Sequence, residues 1–288
     1  MPRIGVMFDC NRAPEELPEF AAAVDAAGAD DLWVVEDLGW NGGVSAAALA
    51  LAATTRLRVG IGIAPAPFRN PALFAMEIAT LARVHPGRLV CGIGHGVGDW
   101  VRQAGAAVKS PLALLEETVV AVRGLLKGET VTIDGREVHL DGVRLVHPPA
   151  VVPPIVTGVV RPRSLELSGR VADGTILVEG LHPPQLAEAI AHLRRGGATE
   201  DHEVINFAFL HVEDDPAAAA RTRATALAGQ AGFLGVTPDE VFALVGPAAD
   251  IPGKVRILTD AGAGTVVLRP FGEDHLGEVL AALKALGR

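Results

Sequence analysis

The sequence predicts a closed (β/α)8 barrel filling a single domain, residues 1–288, on three observations. Short β-rich runs alternate with helical stretches eight times along the chain. Those runs are continuously apolar instead of alternating, the pattern of parallel strands covered on both faces. Eight such units suit a chain of 288 residues, and no Pro/Gly-rich linker sets off a second domain. An open, doubly wound sheet is the competing architecture.

The elements follow in order. RIGVMF (3–8) reads as the first strand, and EELPEFAAAVDAAG (15–28) as its helix, with acids in the first turn and Gly28 as the stop. DLWVV (31–35) and VSAAALALAATT (44–55) form the second unit. LRVGIGI (57–63) is the third strand; its helix opens with Asn70 as N-cap and Pro71 at the first helical position. RLVCGIG (88–94) is the fourth, followed by a helix over 112–127 that aligns Leu115, Val119, Val122 and Leu126 on one face. TVTIDGREVHL (130–140) breaks the alternation: its Asp134-Gly135 step between β-branched runs predicts an antiparallel hairpin excursion near 130–146. PPIVTGV, GTILVE, EVINFAFLHV and GTVVLRP supply the last four strands.

Composition narrows the function. A hydrophobic fraction of 49% supports a substantial core, while a net charge of -9 without a basic run argues against nucleic acid. No stretch is long and apolar enough to span a membrane, and the N-terminus lacks a signal peptide's pattern. Cys10 and Cys91, far apart and outside any CxxC pattern, read as solitary core thiols of a cytoplasmic protein.

Chemistry in such a barrel gathers at the carboxyl ends of the strands. In order these ends carry Asp9, the pair Glu36–Asp37, GIGIAP (60–65), GIGHGVGDW (92–100), TGVVRPR (157–163) and LVEG. Adjacent strand residues face opposite sides, so only one of Glu36 and Asp37 looks into the pocket. That carboxylate is a candidate proton donor if partly desolvated. His95, between Gly94 and Gly96, is expected to be exposed at the mouth and to act as general acid; a structural histidine bonding a loop carbonyl is the other reading. Amides at a helix start with Pro162 first suit an anion. GxGxxG with a downstream acid is absent, and no HxH pair supports a metal-dependent hydrolase; no metal is assigned, and a metal held by three acids and a histidine at the mouth stays as an alternative.

DLWVVED, RNPALFAMEIATLARVHPGRLVCGIGHG, LLKGETVTIDGREVHLDGVRL and PPIVTGVVRPRSLELSGRVADGTIL occur in order and at sensible spacing. Together they resemble the bacterial luciferase-like family of flavin and deazaflavin enzymes, well over about 3–180 and more loosely beyond. The WVVED…GG and GIGHG variants look closer to members using coenzyme F420. The resemblance implies a (β/α)8 barrel holding a ring cofactor in its mouth. It implies a non-prolyl cis peptide at Gly62-Ile63 supporting the ring, with Asp9, Gly94 and Gly96 near it, and a phosphate loop at Thr157, Gly158, Val159, Val160 and Arg161. Many relatives have glycine at Arg161, which either strengthens phosphate binding or fills the site. Many also have histidine at the second-strand end, where this chain has Asp37. F420-dependent hydride transfer is the leading expectation and FMN-dependent monooxygenation the alternative. A homodimer acting on a small organic molecule is the assembly the resemblance implies.

Overall fold

The computed structural model describes residues 2–288. Eight parallel strands close the barrel: β1 (Arg3–Phe8), β2 (Asp31–Val34), β3 (Arg58–Ile61), β4 (Leu89–Gly94), β5 (Ile155–Gly158), β6 (Gly174–Leu177), β7 (Glu203–Val212) and β8 (Thr265–Pro270). Pairing runs in chain order, and β8 returns to β1 in the register Arg3↔Thr265 to Val6↔Leu268. The open sheet is thereby excluded. The principal helices are α1 (Leu17–Ala26), α2 (Gly43–Ala53), α3 (Pro71–Val84), α4 (Pro111–Leu126), α5 (Pro162–Val171), α6 (Pro183–Gly196), α7 (Ile251–Asp260) and α8 (His275–Ala285).

Local chemistry sets several helix starts. Asn70 accepts the Ala72 amide at 2.9 Å with Pro71 at the first helical position. Ser110 does the same for α4, accepting from Ala113. A proline there costs nothing, because the first amides have no intrahelical acceptor.

Strand alternation divides the core in two. Ile4, Val6, Leu32, Val34, Val59 and Ile61 face the helices. Met7, Trp33, Val90, Val156, Ile176, Ile205, Phe207 and Val267 fill the barrel. Trp33 is wholly buried at its centre, edge-on to Phe207 with ring centroids 5.6 Å apart. It fits because β3 carries Gly60 opposite, where a Cβ would lie 2.3 Å from the indole.

Two departures from the sequence reading have local causes. The hairpin strands Val131–Asp134 and His139–Val143 pair antiparallel, but the turn has four residues instead of Asp134-Gly135 alone. Glu117 on α4 explains it: its carboxylate accepts the amides of Arg136, Glu137 and Val138 at 2.8–2.9 Å and holds the loop open. A short strand, Leu244–Gly246, also adds to the upper half of β7 beyond the reach of β6. The long β7 passes two edges in succession, which its ten residues allow.

Candidate functional site

Alternation resolves the two carboxylates after β2. Trp33 and Val35 point inward, so Asp37 does as well; Leu32 and Val34 point to the helices, so Glu36 does too. Glu36 grips Arg69 with both oxygens, one contact being 2.6 Å, and accepts the Gly43 amide at 2.7 Å. It thus caps α2, whose N-cap Gly42 has no side chain to do so. This corrects the expectation that Glu36 is a candidate proton donor: its lone pairs are committed to structure outside the mouth.

Asp37 lies in different company. Its Oδ2 accepts from the Cys10 thiol at 3.3 Å, and burial raises its pKa above the ordinary carboxylate value. Cys10 and Arg269 pull it back, while Asp9 and Glu179 push further up. Burial, reinforced by Asp37, also drives the Cys10 thiol up to about 12, so that it stays protonated and donates. Arg269, at the last inward position of β8, donates from Nε and Nη2 to Asp9 at 3.1 and 2.9 Å and from Nη1 to Glu179 at 2.8 Å. Its guanidinium lies 5.3 Å from the Phe209 ring centroid. One guanidinium therefore serves two of three neighbouring carboxylates, and the third, Asp37, is left to a thiol.

Across the mouth the chain makes a shallow seat. The Gly62-Ile63 peptide is cis, and the Ile63 side chain crosses the tops of β4 and β5. A Cβ at Gly94 would fall 2.8 Å from Ile63 Cδ1, and one at Gly158 would fall 2.6 Å from Ile63 Cγ2. Both positions need glycine for Ile63 to lie there. Beside the seat begins α5, ten residues long, with Arg161 as an N-cap offering no side-chain acceptor. Leu165 donates to Arg161 O at 2.9 Å, and the helix amides before it form the uncapped positive end. Arg161 and Arg163 are exposed, and among the described residues neither has an ion-pair partner.

Other expected ligands turn out differently. His95 continues the outward series Leu89, Cys91, Ile93, so it is half-buried between the starts of α4 and α5, not exposed at the mouth. Its Nε2 lies 3.0 Å from Ser164 Oγ in the first turn of α5. Burial lowers its pKa, partly offset by the Pro111 carbonyl. Thr157 is wholly buried and donates to Ser168 Oγ at 2.6 Å, so its hydroxyl serves the α5 interface instead of an anion. Val159 packs into the helix-facing core, Val160 is exposed, and Gly96 takes a positive φ of 69° where the chain leaves β4. Sequence reasoning missed Arg269 as a mouth residue and gave Glu179, within the LVEG strand end, no role. The available signal was the inward frame Val267–Arg269, ending a strand on a lone cation.

Seat, helix N-terminus and acid-rich floor share the carboxyl rim of one parallel (β/α)8 barrel, the end at which enzymes of this fold class carry their chemistry. A family model for luciferase-like monooxygenases matches residues 2–263, and the chain belongs to that family. It is 31% identical over 196 residues to a 5,10-methylenetetrahydromethanopterin reductase of Methanolobus tindarius, covering 65% of this chain and 59% of the relative. It is also 31% identical over 201 residues to an F420-dependent glucose-6-phosphate dehydrogenase of Nakamurella multipartita, covering 64% and 58%. The chain thus spans about six tenths of the length of these curated relatives. Among solved structures, an F420-dependent secondary alcohol dehydrogenase bound to an F420-acetone adduct superposes with a TM-score of 0.87 at 20% identity, over 99% of both chains. The oxygenating constituent of 3,6-diketocamphane monooxygenase from Pseudomonas putida, in complex with FMN, gives 0.77 at 16% identity, over 100% and 97%. These two likenesses establish the fold.

Proposed function

We propose that the chain is an F420-dependent oxidoreductase that moves a hydride between the deazaflavin and a small organic substrate. The observation that carries this reading is the seat of Ile63 over Gly94 and Gly158 beside the uncapped start of α5. The 31% identity to an F420-dependent glucose-6-phosphate dehydrogenase supports it. When bound, F420 supplies the two-electron chemistry.

The chain's own residues supply the rest. Ile63, Gly94 and Gly158 hold a flat ring, since side chains at either glycine would displace the isoleucine. The first amides of α5, with Arg161 and Arg163, bind the anionic stem. His95 is a positioning residue that steadies Ser164 and the turn presenting those amides. Asp37 holds or moves the proton: its raised pKa brings it nearer the working pH than an ordinary carboxylate. Asp9 and Glu179, clamped by Arg269, fix the floor around it.

Titration of the purified chain with F420 and with FMN tests the cofactor. Saturable F420 binding is expected; tight FMN binding with no F420 binding would overturn the reading in favour of a monooxygenase. Asp37→Asn should lower turnover by about 10²–10⁴-fold with little change in F420 affinity. The same reading takes the protein to be a cytoplasmic homodimer. Among the described residues no helix is long and apolar enough to cross a membrane. Leu73, Met76, Val84 and Val146 are exposed apolar side chains at α3 and the segment after the hairpin, a face that suits a second copy. Light scattering of the purified chain decides the assembly.

A further inference from the structure

We propose that the substrate side of the mouth selects molecules that are uncharged or cationic and rejects phosphorylated or carboxylated ones. This rests on reading the mouth as the cofactor and substrate site. It adds a chemical class of substrate and sets the chain apart from the phosphorylated sugar named for one of its relatives.

Most cations on this side of the barrel are already engaged by neighbours. Arg12 pairs with Glu16, Arg69 with Glu36, and Arg102 with Asp99. Arg223 donates to the carbonyls of Pro238, Asp239 and Val241. Arg269 is divided between Asp9 and Glu179 and lies over Phe209. Burial, with Arg12 and Arg269, lowers the pKa of His275 against opposing pulls from Asp9 and Glu16. Arg161 and Arg163, at the start of α5, have no ion-pair partner among the described residues; exposed Lys109 and Arg221, on the segments that follow β4 and β7, have none either.

The rim is therefore electrically polar. Its β5 side offers two free cations and a helix N-terminus, which suits the anionic stem of the cofactor. The side formed by β1, β2, β6 and β8 sets Asp9, Asp37 and Glu179 against a single, fully engaged Arg269. A phosphate or carboxylate brought there meets carboxylates in a desolvated setting and finds no guanidinium to receive it, so like-charge repulsion is little screened. A hydroxyl or ammonium group meets acceptors to which it can donate instead. Asp37 is the specificity-determining carboxylate, because it alone among the three has no cationic partner within ion-pair distance.

The test is a charge series on one ring: cyclohexanol, trans-4-aminocyclohexanol, 4-hydroxycyclohexanecarboxylate and cyclohexyl phosphate. Binding to the F420-loaded protein is read from the fluorescence of the bound cofactor. Binding to the unloaded chain is read from the rise in its unfolding midpoint. The first two compounds should bind at least about tenfold more tightly than either anion, with the gap narrowing at high salt. Asp37→Asn should shrink that gap at least about threefold. Either anion binding as tightly as cyclohexanol overturns the proposal, as does failure of both uncharged and ammonium members to bind. An unchanged gap in Asp37→Asn overturns the assignment to that residue. If F420 itself fails to bind, the cofactor reading falls, while the unloaded series still decides the charge rule.

Discussion

The two ends of the barrel are built from the same residue types and put to opposite uses. At the amino-terminal end Arg58 donates to both oxygens of Asp31 at 2.8 Å and to Glu203 at 2.6 and 2.9 Å. Arg3 adds bonds to Asp31, and Thr265 donates to Glu203 at 2.7 Å. Two cations meet two anions, and every partner is satisfied. At the carboxyl end one cation meets three anions, and Asp37 is the odd one out. A balanced network seals the barrel; an unbalanced one keeps a carboxyl group whose proton is negotiable. The difference lies in stoichiometry more than in composition.

That contrast can be broken most forcefully at the sealed end. Arg58→Met should leave the wholly buried Asp31 and its neighbour Glu203 short of a cation, destabilising the protein by about 3–5 kcal/mol in urea unfolding. A loss below about 1 kcal/mol would mean that the plug is not structural. At the open end, Gly158→Val should displace Ile63 at an overpacking cost of about 1–3 kcal/mol, expressed as roughly 10–100-fold weaker F420 binding. Native-like circular dichroism with undiminished affinity would remove Ile63 from the site.

Arg161→Gly should weaken F420 binding by roughly three- to tenfold and flatten its salt dependence, since the guanidinium is exposed and screened. An increase in affinity would show instead that Arg161 obstructs the loop. The smallest effect is on pH dependence, where the ends titrate in opposite senses. Burial pushes Glu203 up, but the bonds from Arg58 outweigh it and hold Glu203 below the ordinary carboxylate range. Its stabilisation is present above the unfolded-state pKa and is lost as pH falls through the lower folded value. Asp37, raised by burial, contributes below the ordinary value and loses that contribution as pH rises through its folded pKa. Denaturation midpoints measured across acid to neutral pH should therefore lose their falling limb in Asp37→Asn and their rising limb in Glu203→Gln. The same slope in both variants and the parent would sink this assignment.

Much of this was legible in the chain. Continuous apolar runs such as RLVCGIG gave all eight barrel strands, because burial on both faces leaves a signature in the local sequence. Asn70-Pro71 located the start of α3 for an equally local reason. The site was legible by place more than by role. Gly94, Gly158 and Asp37 were found at the rim, but His95 was expected at the mouth because its flanking glycines were weighed and its strand parity was not. Arg269 escaped because its meaning depends on Asp9, 260 residues away.

The sequence alone determined the number and order of the strands, the helix starts and which positions could face inward, since each follows from propensity and periodicity within a few residues. Tertiary structure decided the partners: Glu36 to Arg69, Asp37 to Cys10, Arg269 between Asp9 and Glu179. Charge pairing and desolvation act through space between distant segments, and only closure of the barrel fixes which carboxylate goes without a cation.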